Sequence, residues 1–203
     1  GGLTLAAGAS QLGAAVVLIE GGRMGGDCLN YGCIPSKSLI AAANAAHIIR
    51  SAGRLGIEAG EPNIDFRRVH DHVQSVIGAI APNDSVERFE GLGVKVIEAQ
   101  GRFVGATTVQ AGDIIVKAKR IVVSTGSYAD VPPIPGLDTV PYLTTETIFG
   151  RTEEPSKLVI IGGGNTGIEL AQAHRRLGCE VTILDIAKTL NNDDPELTEV
   201  VRT

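Results

Sequence analysis

The 203-residue chain has no tryptophan, a single methionine, and aromatic residues at only 3% of positions. Cysteine is scarce too, with three residues. That excludes a disulfide-stapled scaffold and leaves a close cysteine pair to be explained by catalysis or metal binding. No apolar run approaches the roughly 18 residues that a membrane span needs. Basic charge is not in excess: 18 Lys and Arg stand against 23 Asp and Glu, a net charge of −5. A nucleic-acid footprint wants a basic face, so we expect no such partner, and no membrane. What remains is ordinary for a soluble globular protein, with 43% hydrophobic and 20% charged residues. The length suits one large domain or two small ones.

Glycine is abundant, at 26 residues. Without low complexity, that excess suggests many tight turns and close approaches of backbone to ligand. Both ends are abrupt. Gly1 is not an initiator, and the only methionine is Met24. At the other end, Asp194-Pro195-Glu196-Leu197 reads as an N-cap, a first-turn proline and the start of a helix that stops at Thr203. We therefore expect a piece of a longer protein.

An internal repeat sets the expected architecture. Residues 2–20, GLTLAAGASQLGAAVVLIE, align without a gap on residues 167–185, GIELAQAHRRLGCEVTILD. Glycine falls on glycine at Gly2/Gly167 and Gly13/Gly178, and each copy ends in an acid, Glu20 or Asp185. Each copy reads as a helix closed by glycine, then a β-branched strand, Val16–Ile19 or Val181–Leu184, suited to burial on both faces. The acid at the strand's end is placed to hydrogen-bond a ribose hydroxyl. The second copy has the first half of the unit as well. Lys157–Ile161 is a strand, and Gly162, Gly164 and Gly167 form G-x-G-x-x-G directly after it. Those glycines permit a tight turn, approach of backbone to a pyrophosphate, and close packing of helix on strand. In the first copy Gly2 would be the third fingerprint glycine. The plain alternative is a helix–strand corner that binds no nucleotide.

Between the copies, residues 36–54 and 66–89 look helical, the second broken near Pro82-Asn83. Short β runs follow at 94–99, 102–104, 107–110, 114–118 and 120–124, with turns at Gly101, Gly105 and Ala111-Gly112. They predict a small antiparallel meander. Two proline-bearing connectors, 131–136 and 153–155, place a domain boundary near residue 150.

Cys28 and Cys33 lie just after the first acid-tipped strand and lead into a helix, with Pro35 suited to its first turn. A helix N-terminus and the nearby Lys37 favour a thiolate. A half zinc site is a competing reading, but His47, His70, His72 and His174 form no convincing set of further ligands. A chance pair of buried cysteines is another. Cys179 reads as a small packing residue.

The stretch GGDCLNYGCIPSK, residues 25–37, resembles the active-site motif of the class I pyridine nucleotide–disulfide oxidoreductases. Its wording is most similar to the dihydrolipoamide dehydrogenase and mercuric reductase branch. Residues 122–127, VVSTGS, resemble the family's second FAD motif, and residues 161–169 its NAD(P) motif. The resemblance implies an α/β fold of Rossmann-like three-layer FAD- and NAD(P)-binding domains. Residues 1–150 would be the FAD domain and 151–203 the start of the NAD(P) domain, with the C-terminal dimer-interface domain and its His–Glu pair absent. It implies that Cys33 lies next to FAD and that Cys28 attacks substrate. Glu20 would bind the adenosine ribose. Gly2, Gly26, Asp27, Cys28, Cys33, Lys37, Gly101, Ser124, Thr125 and Gly126 would line the flavin nucleotide. Lys37 would pair with Glu169. Gly162, Gly164, Asn165, Thr166, Gly167 and Glu169 would serve NAD(H), and Asp185 favours it over NADP(H), because a carboxylate repels a 2′-phosphate. The implied substrates are a small or protein-bound disulfide or dithiol, or Hg(II). A cytoplasmic homodimer completes the expectation, and a nucleotide-binding redox sensor is the non-enzymatic rival.

Overall fold

A computed structural model describes residues 1–190 and 193–202. Its elements run α1 (Gly2–Gln11), β1 (Val17–Glu20), α2 (Gly26–Asn30), α3 (Cys33–Ser51), α4 (Phe66–Ile80), α5 (Val86–Gly91) and β2 (Lys95–Glu98). After them come β3 (Gly101–Gly105), β4 (Thr108–Ala111), β5 (Ile114–Lys117), α6 (Thr145–Ile148), β6 (Lys157–Ile161), α7 (Asn165–Leu177), β7 (Glu180–Leu184) and α8 (Pro195–Arg202). Two compact units form. One joins residues 1–34 to 75–147, and the other joins 35–74 to the chain from 148 onward. Thr203, at which the last helix was expected to stop, lies outside the described residues.

In the first unit β1 and β2 pair in parallel, Val17 opposite Lys95 through Glu20 opposite Glu98. Parallel pairing needs a long crossover, and residues 21–94 supply it. α1 and α5 pack onto this ribbon. Ala6, Phe89 and Val94 are buried together, with Leu3, Val16, Leu18 and Val96 against them. Burying a side chain the size of Phe89 contributes about 2–3 kcal/mol. Ser10 ties the two helical segments by donating to the Leu92 carbonyl at 2.6 Å.

β3, β4 and β5 form the antiparallel meander. It is smaller than predicted. The run at 94–99 leaves it and becomes β2, the partner of β1. The run at 120–124 forms no strand, and Val122 and Val123 are more than half exposed. An extended segment becomes a strand only by hydrogen bonding to a neighbour, and none lies beside it among the described residues.

In the second unit β6, α7 and β7 build the expected strand–helix–strand unit. β6 pairs in parallel with β7, Lys157 opposite Glu180 through Ile161 opposite Leu184. α7 buries Leu170, Ala171, Ala173, His174 and Leu177. The strand at Val181–Leu184 was expected to be buried on both faces, but both strands alternate. Leu158, Ile160, Val181 and Ile183 are half-buried, whereas Val159, Ile161, Thr182 and Leu184 are exposed. A two-stranded ribbon has one helix-covered face, so only alternate residues leave water. α8 starts as predicted, with Asp194 accepting a hydrogen bond from the Glu196 amide at 2.9 Å.

Candidate functional site

In the first unit the cysteine motif is built by its glycines and one asparagine. Gly25 adopts a left-handed conformation (φ 93°), and a Cβ there would lie 2.2 Å from the Leu29 side chain. The turn opens α2, which carries Asp27 and Cys28. The Asp27 carbonyl closes it by accepting from the Tyr31 and Gly32 amides at 2.8 and 2.7 Å. Asn30 is 9% exposed and donates to the Met24 and Gly26 carbonyls at 3.1 and 2.8 Å.

Cys28 and Cys33 are both exposed thiols, not a disulfide. Cys33 opens α3, with Pro35 in the first turn. The predicted electrostatics differ at Cys28. Its pKa is raised above the ordinary thiol value, first by its hydrogen bond with the Cys33 side chain and then by burial. A proton shared between two sulfurs outweighs the end of a five-residue helix.

Of this unit's other predicted residues, Glu20 ends β1, Gly101 lies against it, and Gly2 meets Ser124. Glu20 accepts from the Gly22 amide at 2.8 Å. A Cβ on Gly2 would sit 3.2 Å from the Ser124 Cβ, so the start of α1 meets the Ser124-Thr125-Gly126 turn at its first residue. A Cβ on Gly101 would sit 3.4 Å from Ile19. Gln100, which carried no sequence signal, donates to the Gly21 carbonyl at 2.7 Å.

In the second unit the three fingerprint glycines do different things. Gly162 turns the chain at φ 112°. Gly164, at the N-cap of α7, has no atom within 4 Å of where a Cβ would be. A Cβ on Gly167 would lie 2.0 Å from the Gly162 carbonyl oxygen, so helix and strand meet there backbone to backbone. Asn165 and Thr166 open α7 and are exposed. Asp185, directly after β7, accepts from the Gly163 amide at 2.5 Å and the Ala187 amide at 2.9 Å. Those backbone donors, Ala187 before Gly163, hold its carboxyl below the usual carboxylate range.

Lys37 on α3 and Glu169 on α7 form an ion pair at 2.5 Å. Their side chains are 59% and 41% exposed. Such a pair contributes only about 0–1 kcal/mol to stability. Sequence reasoning missed a buried pair in the same unit. His174 is 1% exposed, and its Nδ1 lies 2.9 Å from Glu154 Oε1. Cys179 beside them is fully buried, and its thiol is pushed up to about 11, first by burial and then by the Glu154 charge.

The family model described as pyridine nucleotide-disulphide oxidoreductase matches residues 1–203. The chain belongs to that family. It is 34% identical over 203 residues to a mercuric reductase of Streptomyces lividans, a match covering 97% of this chain and 43% of the relative. It is 34% identical over 196 residues to a dihydrolipoyl dehydrogenase of Halobacterium salinarum, covering 92% and 40%. Among solved structures it matches the HOCl-induced flavoprotein disulfide reductase RclA from Escherichia coli, with a TM-score of 0.81, 28% identity, and coverage of 98% and 43%. The α/β fold is that of this relative. The chain spans less than half the length of each of these proteins. No helix among the described residues is long and apolar enough to cross a membrane.

Proposed function

We propose that the chain is the dithiol-bearing part of an FAD- and NAD(P)H-dependent disulfide oxidoreductase in which Cys28 and Cys33 are the redox pair. The observation that carries this reading is the pair itself: two exposed thiols in mutual hydrogen-bond contact, set between the acid-tipped strand β1 and the N-terminus of α3. Two thiols this close can exchange a bond with a substrate disulfide and then with each other.

The residues present fit dinucleotides. At the second loop, the turn at Gly162, the open space over Gly164 and the tight packing at Gly167 suit a pyrophosphate on the α7 N-terminus. The start of α1 against Ser124, with Glu20 at the end of β1, suits the flavin's ADP half. A bound flavin supplies the hydride acceptor, and the protein supplies position and charge. Lys37, held by Glu169, provides a fixed cation. Cys28 attacks the substrate, and Cys33 displaces it to close the internal disulfide. Asp185 favours NADH, because its anionic form would repel a 2′-phosphate.

A second reading of the substrate is a soft metal ion such as Hg(II). The exposed thiol pair suits it, and the relatives include mercuric reductases. The chemistry as a whole is tested by thiol counting. The protein purified with its flavin, treated anaerobically with NADH, should expose two more alkylatable thiols than the oxidised form, mapped to Cys28 and Cys33. A protein that binds no flavin, or gains no thiols, would sink the proposal. Turnover with lipoamide or with Hg(II) separates the two substrates.

A further inference from the structure

The Asn30 side chain has no role in the chemistry proposed above, yet it is one of the few buried polar groups in the first unit. Its Nδ2 group has two protons, and both are used. One bond reaches the Met24 carbonyl at 3.1 Å, the other the Gly26 carbonyl at 2.8 Å. The two bonds bridge back across the chain that holds Gly25, Gly26, Asp27 and Cys28. Met24 precedes α2, so its carbonyl lies outside the helix's own hydrogen bonds and takes its donor from this side chain.

The surroundings leave the segment little freedom. Leu29 fills the space over Gly25, and Asp27 fills the space over Gly32, where a Cβ would lie 2.8 Å from Asp27 Oδ2. The Asp27 carbonyl already takes two amides. Cys28 therefore sits on a turn fixed at its start by Asn30 and at its end by Asp27. α2 is only five residues long, too short to hold its own geometry. What keeps the Cys28 sulfur in reach of Cys33 is this lock.

We infer that Asn30 is a positioning residue for the Cys28–Cys33 pair, acting through the Met24 and Gly26 carbonyls to set how readily the two thiols close to a disulfide. The step is an exchange with a dithiol reagent. Oxidised dithiothreitol takes two electrons and two protons from the thiols of Cys28 and Cys33, giving reduced dithiothreitol and the Cys28–Cys33 bond. Loosening the turn lowers the effective concentration of one sulfur at the other, so the disulfide becomes less favoured. It also weakens the hydrogen bond that holds Cys28 protonated, so the Cys28 pKa falls toward its ordinary value.

The inference rests on Cys28 and Cys33 being the redox pair. The test uses the full chain and needs no cofactor. Asn30→Asp keeps the shape but faces two carbonyl oxygens with a carboxylate. Asn30→Ser keeps at most one donor. For each variant, the equilibrium with reduced and oxidised dithiothreitol and the pH dependence of Cys28 alkylation by iodoacetamide are measured. Buried Cys179 reports unfolding by becoming reactive. With Cys179 protected, the disulfide equilibrium constant should fall about tenfold or more in Asn30→Asp and less in Asn30→Ser, and Cys28 alkylation should shift to lower pH in Asn30→Ser, which adds no charge beside the thiol. Should Asn30→Asp unfold the chain, Asn30→Ser decides. Folded variants that match the parent within twofold in both readouts would overturn the role of Asn30. A parent chain that forms no Cys28–Cys33 disulfide at all would overturn the reading of the pair instead.

Discussion

The two copies of the repeat share a register over nineteen positions but not an environment. The second copy, α7 and β7, is packed tightly at both ends. Gly167 touches backbone, His174 is buried against Glu154, and Cys179 is fully enclosed. The first copy, α1 and β1, is looser at the aligned positions. Gly2 meets only a serine side chain, and Ala9 and Ala14, which align with His174 and Cys179, make no such cluster. A shared pattern of glycine, helix, strand and acid thus specifies the path of the chain. Packing at the equivalent positions is set by what each unit brings against them.

The sharpest break of that comparison is at the paired glycines. In Gly167→Ala the new methyl would lie 2.0 Å from the Gly162 carbonyl oxygen, and neither backbone can yield without reshaping the glycine loop. The expected cost is about 3 kcal/mol or more, at the upper end of overpacking. If the loop serves NADH as proposed, that binding should be lost with it. In Gly2→Ala the contact is 3.2 Å to a serine Cβ, and alanine is the better helix former. The net change there should stay within about 1 kcal/mol. Urea midpoints of the two variants check the contrast, and equal destabilisation would show that the two loops are packed alike.

The sequence pattern carried the fold where local chemistry decides it. The repeat placed both helices, and β6 was read with the bounds the structure has. The G-x-G-x-x-G placed the turn, and proline and asparagine at 82–83 placed the break between α4 and α5. It failed where the decision is made at a distance. Nothing local tells that the run at 94–99 joins β1 while 107–118 folds on itself. Nor does valine at 122–123 reveal that no strand pairs with it among the described residues. At the candidate site, residue types and order were legible. The hydrogen bond that raises the Cys28 pKa was not, because it depends on how a five-residue spacing closes in three dimensions. The Glu154–His174 pair was hidden for the same reason, its members standing twenty positions apart.

That pair gives the next test. His174→Ala removes one partner and leaves the Glu154 carboxyl facing a buried space, at an expected cost of about 1–3 kcal/mol. The aligned Ala9 has no carboxylate to strand, so Ala9→Ser should be nearly neutral. Replacing both members, Glu154→Leu with His174→Leu, should recover most of the loss, because two apolar side chains need no partner. Thermal melts of the single and double variants measure this. A double variant no more stable than His174→Ala would mean that the pair packs by shape rather than by charge.

The smallest expected effect lies at the two acids. Glu20 accepts one backbone amide, while Asp185 accepts two and has its carboxyl held down in pKa by them. A carboxyl whose folded pKa is depressed stabilises the fold above its ordinary value and loses that contribution as pH falls through the folded one. The window is therefore acidic, from the ordinary aspartate range downward. Asp185→Asn removes the charge but keeps an acceptor, so the variant should melt slightly lower than the parent at pH 7. The gap should close steadily as the pH is taken below that range, because the parent's carboxyl then becomes neutral as well. The same substitution bears on cofactor choice: without the carboxylate, discrimination against NADPH should weaken while the fold at low pH is unchanged. A gap in melting temperature that stays constant with pH would mean that shape, not charge, ties residue 185 to the glycine loop.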